Sequence, residues 1–436
     1  MPFTERQNPL SRDLDGGLSP LEFLRTIRAC DSQIYSGFEG QSGVLDGPCL
    51  AALECTVQCC SGLLRRGGLV VMSGCGTSGR VAYLLARRYN CLASVAAAEQ
   101  QQEQQEQQEQ EQEQEQEQEQ ERIYAKTKTE AKTRAKSKRH FAYCMAGGDS
   151  ALLLSDEMPE DDPSAGARDL ALAMSRHGYA GRAGDTCVVG VSCGLSAPYL
   201  AGQLAAAVYA FPPYGGSCLV GFNPSALARP VALRDMDLLI PEETYRAGVD
   251  AAGVRVSEQW ADFRQAVLGL ERLSQSKSQV QGLEQSQHRG MFSLVNPVLG
   301  PEPLTGSSRM KGGSATMALL DTLLLAAAAK SGKPGLLPTA EAEYVAARSS
   351  SLVLDVLLDY QRVHTLTYCQ SEEAVPAFMA RAADAIRTGG HIYYLGCTSA
   401  GALGCVDASE MPDTYVLHSL LCQSPSLLSV FLRVFV

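Results

Sequence analysis

Residues 69–88 are LVVMSGCGTSGRVAYLLARR, and this stretch decides the fold of the chain. A short apolar run, Val70–Ser73, leads into a loop of glycine, serine and threonine and then into a helical pattern, Arg80–Arg88. The same unit recurs at 188–208 and again from residue 392 onwards. Strands that alternate in this way with helices predict a doubly wound α/β fold with a parallel sheet.

Further elements are predicted on either side of these units. Residues 1–67 carry apolar side chains at helical spacing and predict a helical lead-in. His140–Met145 and Ser217–Gly221 are two more candidate strands. Residues 312–330 and 344–364 have the length and composition of long helices.

The net charge of the chain comes from one insertion. The formal net charge is −11 over 436 residues, but residues 99–121 contain ten glutamates and no basic residue. This Gln/Glu repeat and the Lys/Arg-rich stretch 126–139 can bury too little apolar surface to form a core. We therefore expect residues 94–139 to be a disordered, solvated loop. A nuclear-localisation or nucleic-acid role for Lys126–Arg139 is the alternative, although no aromatic residue is interleaved beyond Tyr124.

The cysteines indicate a reducing compartment. The chain has fifteen cysteines without the paired spacing of a metal site, and many lie in apolar runs, so buried free thiols are expected. The first residues, MPFTERQNPL, do not predict a secretory signal, and no apolar run approaches the length of a membrane span. We expect no metal, no cofactor, and neither a membrane nor a nucleic acid as partner.

The loops after the first two strands have the chemistry of a phosphate site. Glycines let the backbone approach an anion closely, and a helix N-terminus presents free N–H groups and partial positive charge. The hydroxyls of Thr77, Ser78, Ser192 and Ser196 can donate further hydrogen bonds. Two such loops at neighbouring strand ends would hold one phosphate. The first loop matches neither a Walker A motif nor a dinucleotide fingerprint, and an ordinary tight turn is the alternative for a single loop.

Two other segments are candidates for ligand contact. Glu157 and Glu160 could accept protons from sugar hydroxyls or act as a base, or they could belong to a solvated acidic loop. Residues 300–316, GPEPLTGSSRMKGGSAT, are rich in hydroxyls and include Arg309 and Lys311. These cations would suit an anion, but the segment is equally suited to cap the helix that follows.

These residues resemble the glucokinase regulatory protein family and, more distantly, the N-acetylmuramic acid 6-phosphate etherases, both built on the sugar isomerase (SIS) fold. The segments that carry the resemblance are 8–15, 73–80, 146–149, 192–203, 220–224, 296–316 and 390–410. The resemblance implies a flavodoxin-like three-layer SIS domain followed by a second, incomplete one. The expected division is a helical lead-in at 1–67, a first SIS domain at 68–311 with a variable insert at about 229–290, and a partial second SIS domain at 312–436.

The resemblance also implies a function. The family ligands are fructose 6-phosphate and fructose 1-phosphate, the partner is glucokinase, which the family inhibits, and the expected compartments are cytoplasm and nucleus. The implied sugar-phosphate contacts are Gly76, Thr77, Ser78, Glu157, Glu160, Ser192, Cys193, Gly194, Ser196, Ser308, Arg309 and Glu410.

One position argues against catalysis. The resemblance implies that the etherases use two acids. One of these acids lies eight residues beyond the loop arginine, and counting from Arg80 that position holds Arg88 here. Because an arginine cannot accept a proton at neutral pH, we expect a binding protein and not an enzyme. Etherase activity through Glu157 is the alternative function.

The second domain departs from the family pattern. It is expected to stop at Val436 before its own second loop, and residues 416–436 do not resemble the family. A partial gene product that folds poorly is therefore a further alternative, because half a sheet leaves an open edge and an uncovered apolar face.

Overall fold

The computed structural model describes residues 1–12, 17–119, 139–152, 158–209, 214–234, 260–278, 291–348, 351–394 and 432–435. In chain order the helices of this part are α1 (Pro20–Ser36), α2 (Gly47–Arg65), α3 (Gly76–Glu119), α4 (Pro163–Arg176), α5 (Pro198–Tyr209), α6 (Phe263–Ser278), α7 (Lys311–Ser331), α8 (Thr339–Ala346), α9 (Leu352–Gln370) and α10 (Ala374–Arg387). The strands are β1 (Leu69–Gly74), β2 (Phe141–Met145), β3 (Thr186–Val191), β4 (Gly216–Val220), β5 (Met291–Val295), β6 (His391–Tyr394) and β7 (Leu432–Phe435).

Local sequence explains where α1 begins and ends. Ser19 and Glu22 form a capping box, in which the Ser19 N–H donates to the Glu22 carboxylate at 2.8 Å and the Glu22 N–H donates to Ser19 Oγ at 3.3 Å. Pro20 occupies the first helical position, where its missing N–H costs nothing. The helix ends at Gly37, whose φ of +76° favours glycine.

The predicted doubly wound parallel sheet is confirmed. Strands β1–β5 form one parallel sheet in the order β2-β1-β3-β4-β5, which is the flavodoxin-like order. In its register Met72 of β1 lies between Tyr143 of β2 and Val189 of β3. Every residue of β1 and of β3 is buried, as expected for strands covered on both faces.

Helices cover both faces of this sheet. Alternate β1 side chains, Val70 and Met72, point into a core shared with α2, α3 and α7. Leu69 and Val71 point to the opposite face, where the sheet packs on α4, and further along the sheet on α5 and α6. The molecule therefore has the three layers that the resemblance implied.

Helix α7 lies at the centre of the first of these cores. Its buried residues occur on all sides, and it packs on α2, α3 and α9. It begins at the predicted boundary between the two SIS domains, yet its leucines belong to the core of the first sheet. The division of the chain into domains stays a prediction.

Two described helices, α2 and α7, are long and apolar enough to cross a membrane by length and composition alone. No apolar run of this length was predicted from the sequence. Of the most apolar window of α7, 83% is buried inside the protein, and the core helix of a folded domain meets the same criterion.

The expectation of a disordered loop from residue 94 is wrong for the described part of that stretch. Helix α3 continues without a break to Glu119. Gln and Glu are good helix formers, and a helix already nucleated by packing extends at little cost. Ala96 is buried, and Glu99 accepts hydrogen bonds from the N–H and Oγ1 of Thr339 at 2.8 and 3.0 Å. Residues 120–138, including most of Lys126–Arg139, lie outside the described residues.

The predicted variable insert at 229–290 contributes to the core where it is described. Trp260 and Phe263 are buried beside β5, and α6 packs on that strand. Strand β5 itself was not predicted, because Met291–Val295 follows a polar stretch and is only five residues long.

The third predicted unit differs from the first two. β6 matches the predicted strand, but it pairs with β7 in an antiparallel two-stranded sheet, with Tyr393 opposite Arg433. The helix predicted at 344–364 is two helices, α8 and α9, because the chain leaves the helical conformation after Ala346. The loop at 396–399 and Glu410 lie outside the described residues.

The prediction of buried thiols holds for most of the twelve cysteines in the described part of the chain. None of the twelve forms a disulfide; seven are buried, three are partly buried, and Cys91 and Cys369 are exposed. Cys60 of α2 and Cys187 of β3 lie with their sulfur atoms 3.6 Å apart.

Candidate functional site

The two loops predicted to bind phosphate lie side by side at one edge of the sheet. The loop Gly74–Gly79 follows β1, and the loop Ser192–Ser196 follows β3, the adjacent strand. The chain leaves β1 for β2 on one side and returns to β3 on the other, so the strand order reverses between them. Open α/β sheets bind ligands beyond the carboxyl ends of the strands at such a reversal.

The backbone of the first loop leaves no space for side chains at its two outer glycines. A Cβ on Gly74 would lie 2.7 Å from Cβ of Ser78, and a Cβ on Gly79 would lie 2.6 Å from the carbonyl oxygen of Gly74. This tight turn places Thr77 and Ser78 in the first turn of α3, where N–H groups have no acceptor within the helix. The loop therefore presents backbone N–H groups and hydroxyls in a form suited to an anion.

The second loop is closed by its own side chains. Ser192 Oγ accepts a hydrogen bond from the Ser196 N–H at 2.9 Å, just before α5 begins. Leu195 has a φ of +53°, a left-handed conformation that costs a residue other than glycine about 1–3 kcal/mol. Asn223, at the end of the neighbouring strand, donates from Nδ2 to the carbonyl of Gly194 at 3.1 Å and so holds the loop from outside.

The two loops touch through one serine and one cysteine. Ser78 Oγ lies 3.4 Å from Cys193 Sγ, and the same sulfur lies 3.8 Å from Oγ1 of Thr316 on α7. Burial raises the pKa of the Cys193 thiol to about 11. The thiol is therefore uncharged at neutral pH and does not repel an anion held between the loops.

The start of α7 forms a third wall. A Cβ on Gly312 would lie 3.3 Å from Cys193 Sγ, and a Cβ on Gly313 would lie 3.3 Å from Cγ2 of Thr77. The carboxylate of Glu302 accepts hydrogen bonds from the N–H groups of Lys311 and Gly312 at 2.8 and 2.9 Å. A carboxyl group of the protein thus already occupies the N-terminus of α7, which leaves those of α3 and α5 for an external anion.

Glu302 and Lys311 form a buried pair. Only 2% of Glu302 and none of Lys311 is exposed. Burial raises the pKa of Glu302 to about 7 and lowers the pKa of Lys311 to about 8. Lys311 Nζ donates to Oε1 of Gln33 at 2.7 Å, which ties α7 to α1. Of the two roles left open for this segment, the structure therefore shows capping by Glu302.

Glu160 lies beside the first loop. It belongs to a short 3₁₀ helix, Met158–Asp161, and its Oε1 would lie 3.6 Å from a Cβ on Gly76. Gly76 has a φ of +47°, and the missing side chain leaves space next to this carboxylate. Burial raises the pKa of the neighbouring Cys75 thiol, and the charge of Glu160 adds to the effect.

The structure brings most of the predicted contacts together. Ser308 and Arg309 come from the segment before α7, where the Ser308 carbonyl oxygen would lie 3.7 Å from a Cβ on Gly313. Glu157 and Glu410 lie outside the described residues. That these residues bind a ligand stays a prediction. The described members of the set are Gly76, Thr77, Ser78, Glu160, Ser192, Cys193, Gly194, Ser196, Ser308 and Arg309.

Sequence reasoning missed the side chains that support the loops. Asn223 holds the second loop, Thr316 contacts it, and Glu302 holds the start of α7, although none was a predicted contact. Glu302 stands between two prolines immediately before the serine-rich segment, and a lone acid in that position was the available signal. Asn223 and Thr316 gave no comparable signal, because their partners are remote in the sequence.

Arg88, the residue that argued against catalysis, takes part in a salt bridge. Its guanidinium lies 3.0 Å from Oδ1 of Asp321 on α7. The hydroxyls of Tyr89 and Tyr360 also donate to Asp321, at 2.9 and 2.6 Å. Arg88 thus joins α3 to α7, and its charge is compensated within the protein.

The groups at this site have the chemistry that suits an anion. The site combines two helix N-termini, several hydroxyls and a neutral thiol with Glu160 at its edge. In the described part of the chain, no group of three or more His, Cys, Asp or Glu side chains is placed to hold a metal ion.

Comparison with known families agrees with this description. Residues 54–112 and 121–208 match the family model for the glucokinase regulatory protein N-terminal SIS domain. Strands β1, β2 and β3 and the two loops lie within the region of this match, whereas β4 and β5 lie beyond it. The chain therefore contains an SIS domain, as the sequence analysis predicted.

Proteins that align with almost the whole chain belong to one group of SIS-domain proteins. Glucokinase regulatory protein of Xenopus laevis is 31% identical over 424 residues, and that of Homo sapiens is 28% identical over 426 residues. Each alignment covers 95% of this chain and 52% of the relative, so the chain spans about half the length of these proteins. The predicted resemblance to glucokinase regulatory protein is confirmed.

A more distant relative is an enzyme. N-acetylmuramic acid 6-phosphate etherase of Edwardsiella ictaluri is 25% identical over 332 residues, which cover 76% of this chain and 71% of the enzyme. The etherase resemblance is thus confirmed as the weaker of the two.

Proposed function

We propose that the protein binds a phosphorylated sugar at the edge of its parallel sheet and regulates a glucokinase-type enzyme without transforming the sugar. The observation that carries the proposal is the contact between the two loops, with Ser78 Oγ 3.4 Å from Cys193 Sγ. This contact places two helix N-termini and their hydroxyls around one small volume, which suits a single phosphate.

The sugar would extend from the phosphate towards Glu160. A carboxylate accepts hydrogen bonds from sugar hydroxyls, and Glu160 lies beside Gly76 at the edge of the first loop. We propose fructose 6-phosphate and fructose 1-phosphate as ligands. Glu157 and Glu410 are further proposed contacts, and Arg309 would meet the phosphate from the side of α7.

The absence of a chemical step is proposed from Arg88. The etherase resemblance implies an acid at this position, where the present chain has Arg88. The Arg88 guanidinium instead forms a salt bridge with Asp321 that joins α3 to α7. A permanently charged guanidinium can neither remove nor return a proton. A bound sugar would then remain intact and act only through the conformations that it favours.

Calorimetric titration tests the ligand. Fructose 6-phosphate and fructose 1-phosphate are titrated into the full chain, with unphosphorylated fructose as the control. We expect saturable binding of at least one phosphate ester and none of fructose, because the phosphate supplies the charge that the loops hold. Equal heats from fructose and its phosphates, or none from any, would overturn the proposed function.

The proposed partner is glucokinase. The support is the similarity to glucokinase regulatory proteins, which share 28–31% identity with this chain. Glucokinase activity measured against increasing amounts of this protein should fall, and fructose phosphates should change the extent of inhibition. Unchanged activity in every condition would remove the regulatory part of the proposal and leave the binding part intact.

Etherase activity is the second candidate, favoured by the relative from Edwardsiella ictaluri. Release of lactate from N-acetylmuramic acid 6-phosphate is the measurement. We expect none from the wild-type chain, and lactate release in proportion to protein would replace the regulatory proposal with an enzymatic one.

We also propose the cytoplasm and the nucleus as compartments. The support is the free state of the described cysteines, which indicates reducing surroundings. Fluorescence microscopy of a tagged full chain is the measurement, and a signal confined to the secretory pathway would contradict it.

A further inference from the structure

The segment Phe3–Ser11, here called the leading segment, is not assigned any role by the site described above. It runs from the second loop, where Thr4 lies beside Gly194, to the residues that precede α7. The contacts at its two ends concern side chains that are fully buried, although the segment itself has little secondary structure. The inference drawn from it rests on the proposed function, because it concerns the same ligand.

One end of the segment is held by Asn223. The Thr4 N–H donates to Oδ1 of Asn223 at 3.1 Å, and Nδ2 of Asn223 donates to Oγ1 of Thr4 at 2.8 Å. The same Nδ2 donates to the carbonyl of Gly194, so one buried amide joins the leading segment to the second loop. Glu5 adds an ion pair with Arg229 at 3.4 Å.

The other end is held by Asn8. This side chain is fully buried, and its Nδ2 donates to the carbonyl of Pro301 at 2.7 Å and to Oε1 of Gln33 at 3.0 Å. Ser11 Oγ donates to the carbonyl of Pro303 at 2.6 Å. The leading segment therefore fixes the carbonyl groups on both sides of Glu302.

These bonds continue to the start of α7. Gln33 Oε1 accepts from Asn8 and also from Nζ of Lys311, while Glu302 accepts the first two N–H groups of α7. A displacement of the leading segment would free the turn that carries Glu302. The position of Gly313 against Thr77 in the first loop depends on that turn.

We propose that the leading segment is part of the ligand site, with Asn8 and Asn223 as positioning residues that keep the second loop and the start of α7 at the spacing a sugar phosphate requires. Neither residue touches the ligand. Ligand binding and the position of the leading segment are thermodynamically linked. If displacement of the segment weakens ligand affinity by some factor, bound ligand must favour the docked segment over the displaced one by the same factor.

The test compares two asparagines that hold backbone carbonyls in the full chain. Asn8→Ala removes the bonds to Pro301 and Gln33, whereas Asn90→Ala removes a bond of 2.7 Å to the carbonyl of Phe141 at the opposite end of the sheet. Truncating a buried hydrogen-bonding partner leaves the other group unsatisfied. We expect Asn8→Ala to raise the Kd for fructose 6-phosphate about tenfold and Asn90→Ala to leave it unchanged, although both lower the melting temperature.

Amide hydrogen exchange supplies a readout that a purely structural role would not move. Saturating fructose 6-phosphate should slow exchange of the Thr4 N–H in the wild-type chain, because the ligand favours the conformation in which this group bonds Asn223. If Asn8→Ala does not fold, Ser11→Ala removes the hydrogen bonds from Ser11 Oγ to the carbonyls of Pro303 and Asn8 and should raise the Kd about threefold or more.

The outcomes separate the inference from the function on which it rests. No binding by the wild type would sink the proposed function. Binding by the wild type with an unaltered Kd in the Asn8 or Ser11 variants, or ligand-independent exchange at Thr4, would overturn the positioning role and leave the function standing.

Discussion

Ser78 and Cys193 are the pair of residues at which the two loops of the site meet. Both are small, and both are held in place by the glycines and the α7 start packed around them. A hydroxyl in this position can donate to a phosphate oxygen, whereas an alanine cannot. Single substitutions here should therefore affect binding more than folding.

Replacement of Ser78 by alanine tests this difference. We expect Ser78→Ala to weaken fructose 6-phosphate binding about tenfold, since a hydrogen bond to a charged group contributes about 1.5–3 kcal/mol. Ser94→Ala is the matched control, because Ser94 lies on the same helix and its hydroxyl donates only to the Asn90 carbonyl, at 2.8 Å. Calorimetry measures both, and equal affinities for the two variants would contradict the prediction.

Glu302 should make stability depend on pH in an unusual direction. Its folded-state pKa of about 7 exceeds the ordinary value of 4.5, so the folded protein binds more protons than the unfolded chain between these values. The contribution of Glu302 to the free energy of unfolding is therefore present at low pH and is lost as the pH rises through about 7. The pKa of Lys311 is lowered to about 8, so its effect has the opposite sign: it makes stability rise with pH, but only above about pH 8.

Denaturant unfolding measured between pH 5 and pH 7.5 checks the Glu302 effect. Glu302→Gln should show a smaller decline in stability over this range than the wild type. Glu22→Gln is the control, because the pKa of Glu22 is lowered by its hydrogen bonds with Ser19, so its contribution is lost only in acid. An unchanged decline in Glu302→Gln would mean that another group causes it.

The residues of the loops could be predicted, but their supports could not. Glycine and hydroxyl residues after a strand indicate a phosphate loop from local chemistry alone. Asn223 acts on Gly194 and Thr4, which are 29 and 219 residues away, and a hydrogen bond of that separation is determined by the tertiary fold.

At the scale of elements, the packing of α4 on α5 depends on two glycines. A Cβ on Gly166 would overlap the carbonyl oxygen of Tyr199, and a Cβ on Gly202 would overlap the carbonyl oxygen of Pro163. The two helix backbones are therefore in direct contact. Since α5 follows the second loop, this contact also determines where that loop lies.

Substitution of Gly202 tests the contact. Gly202→Ala should destabilise the fold by roughly 2 kcal/mol or more, because backbone atoms cannot move aside as a side chain does. Gly62→Ala in α2 should instead be neutral or stabilising by about 0.5–1 kcal/mol, because its Cβ would meet only a flexible arginine 3.7 Å away. Thermal and denaturant unfolding compare the two, and similar stabilities would contradict the close approach.

Elements with a strong local signal were predicted correctly, and the exceptions have physical reasons. The strands β1 to β4 and the helix α7 are apolar runs of the right length, bounded by glycines or polar residues. Helix α3 was predicted to end early, because a lack of apolar side chains was taken as a lack of structure. A helix supplies its own backbone hydrogen bonds, so it needs no apolar face once packing has started it.

At the scale of the whole molecule, burial is distributed unevenly. Helix α7 is buried almost throughout, whereas α10 has no buried residue and exposes Phe378 and Ile386. Local opening requires little free energy where few apolar contacts are lost.

Native-state hydrogen exchange should therefore separate these helices. We expect amides of α7 to exchange only on global unfolding and those of α10 to exchange at least about a hundredfold faster, which corresponds to ~2.7 kcal/mol. The α1 amides, which lie beside α10, are the internal comparison. Equal protection of α7 and α10 would show that the chain unfolds as one cooperative unit.

The arrangement of the first sheet followed from the sequence, but that of the later residues did not. Repeated strand–loop–helix units and right-handed crossovers restrict the first sheet to few topologies. The antiparallel pairing of β6 with β7 joins segments about forty residues apart, and no local pattern in either strand selects that direction.

Helix α3 links the site to a distant point. Its first turn carries Thr77 and Ser78, and its last residue is Glu119, so at 1.5 Å per residue the helix is roughly 66 Å long. A pivot near Gln100, where the helix leaves the body of the protein, would divide it into arms of roughly 36 and 28 Å, so a tilt of roughly five degrees would move each end by about 2–3 Å. A pair of spin labels, one near Glu119 and one on α2, would therefore report a rearrangement of the loop from a position far from the ligand, where the labels cannot disturb binding.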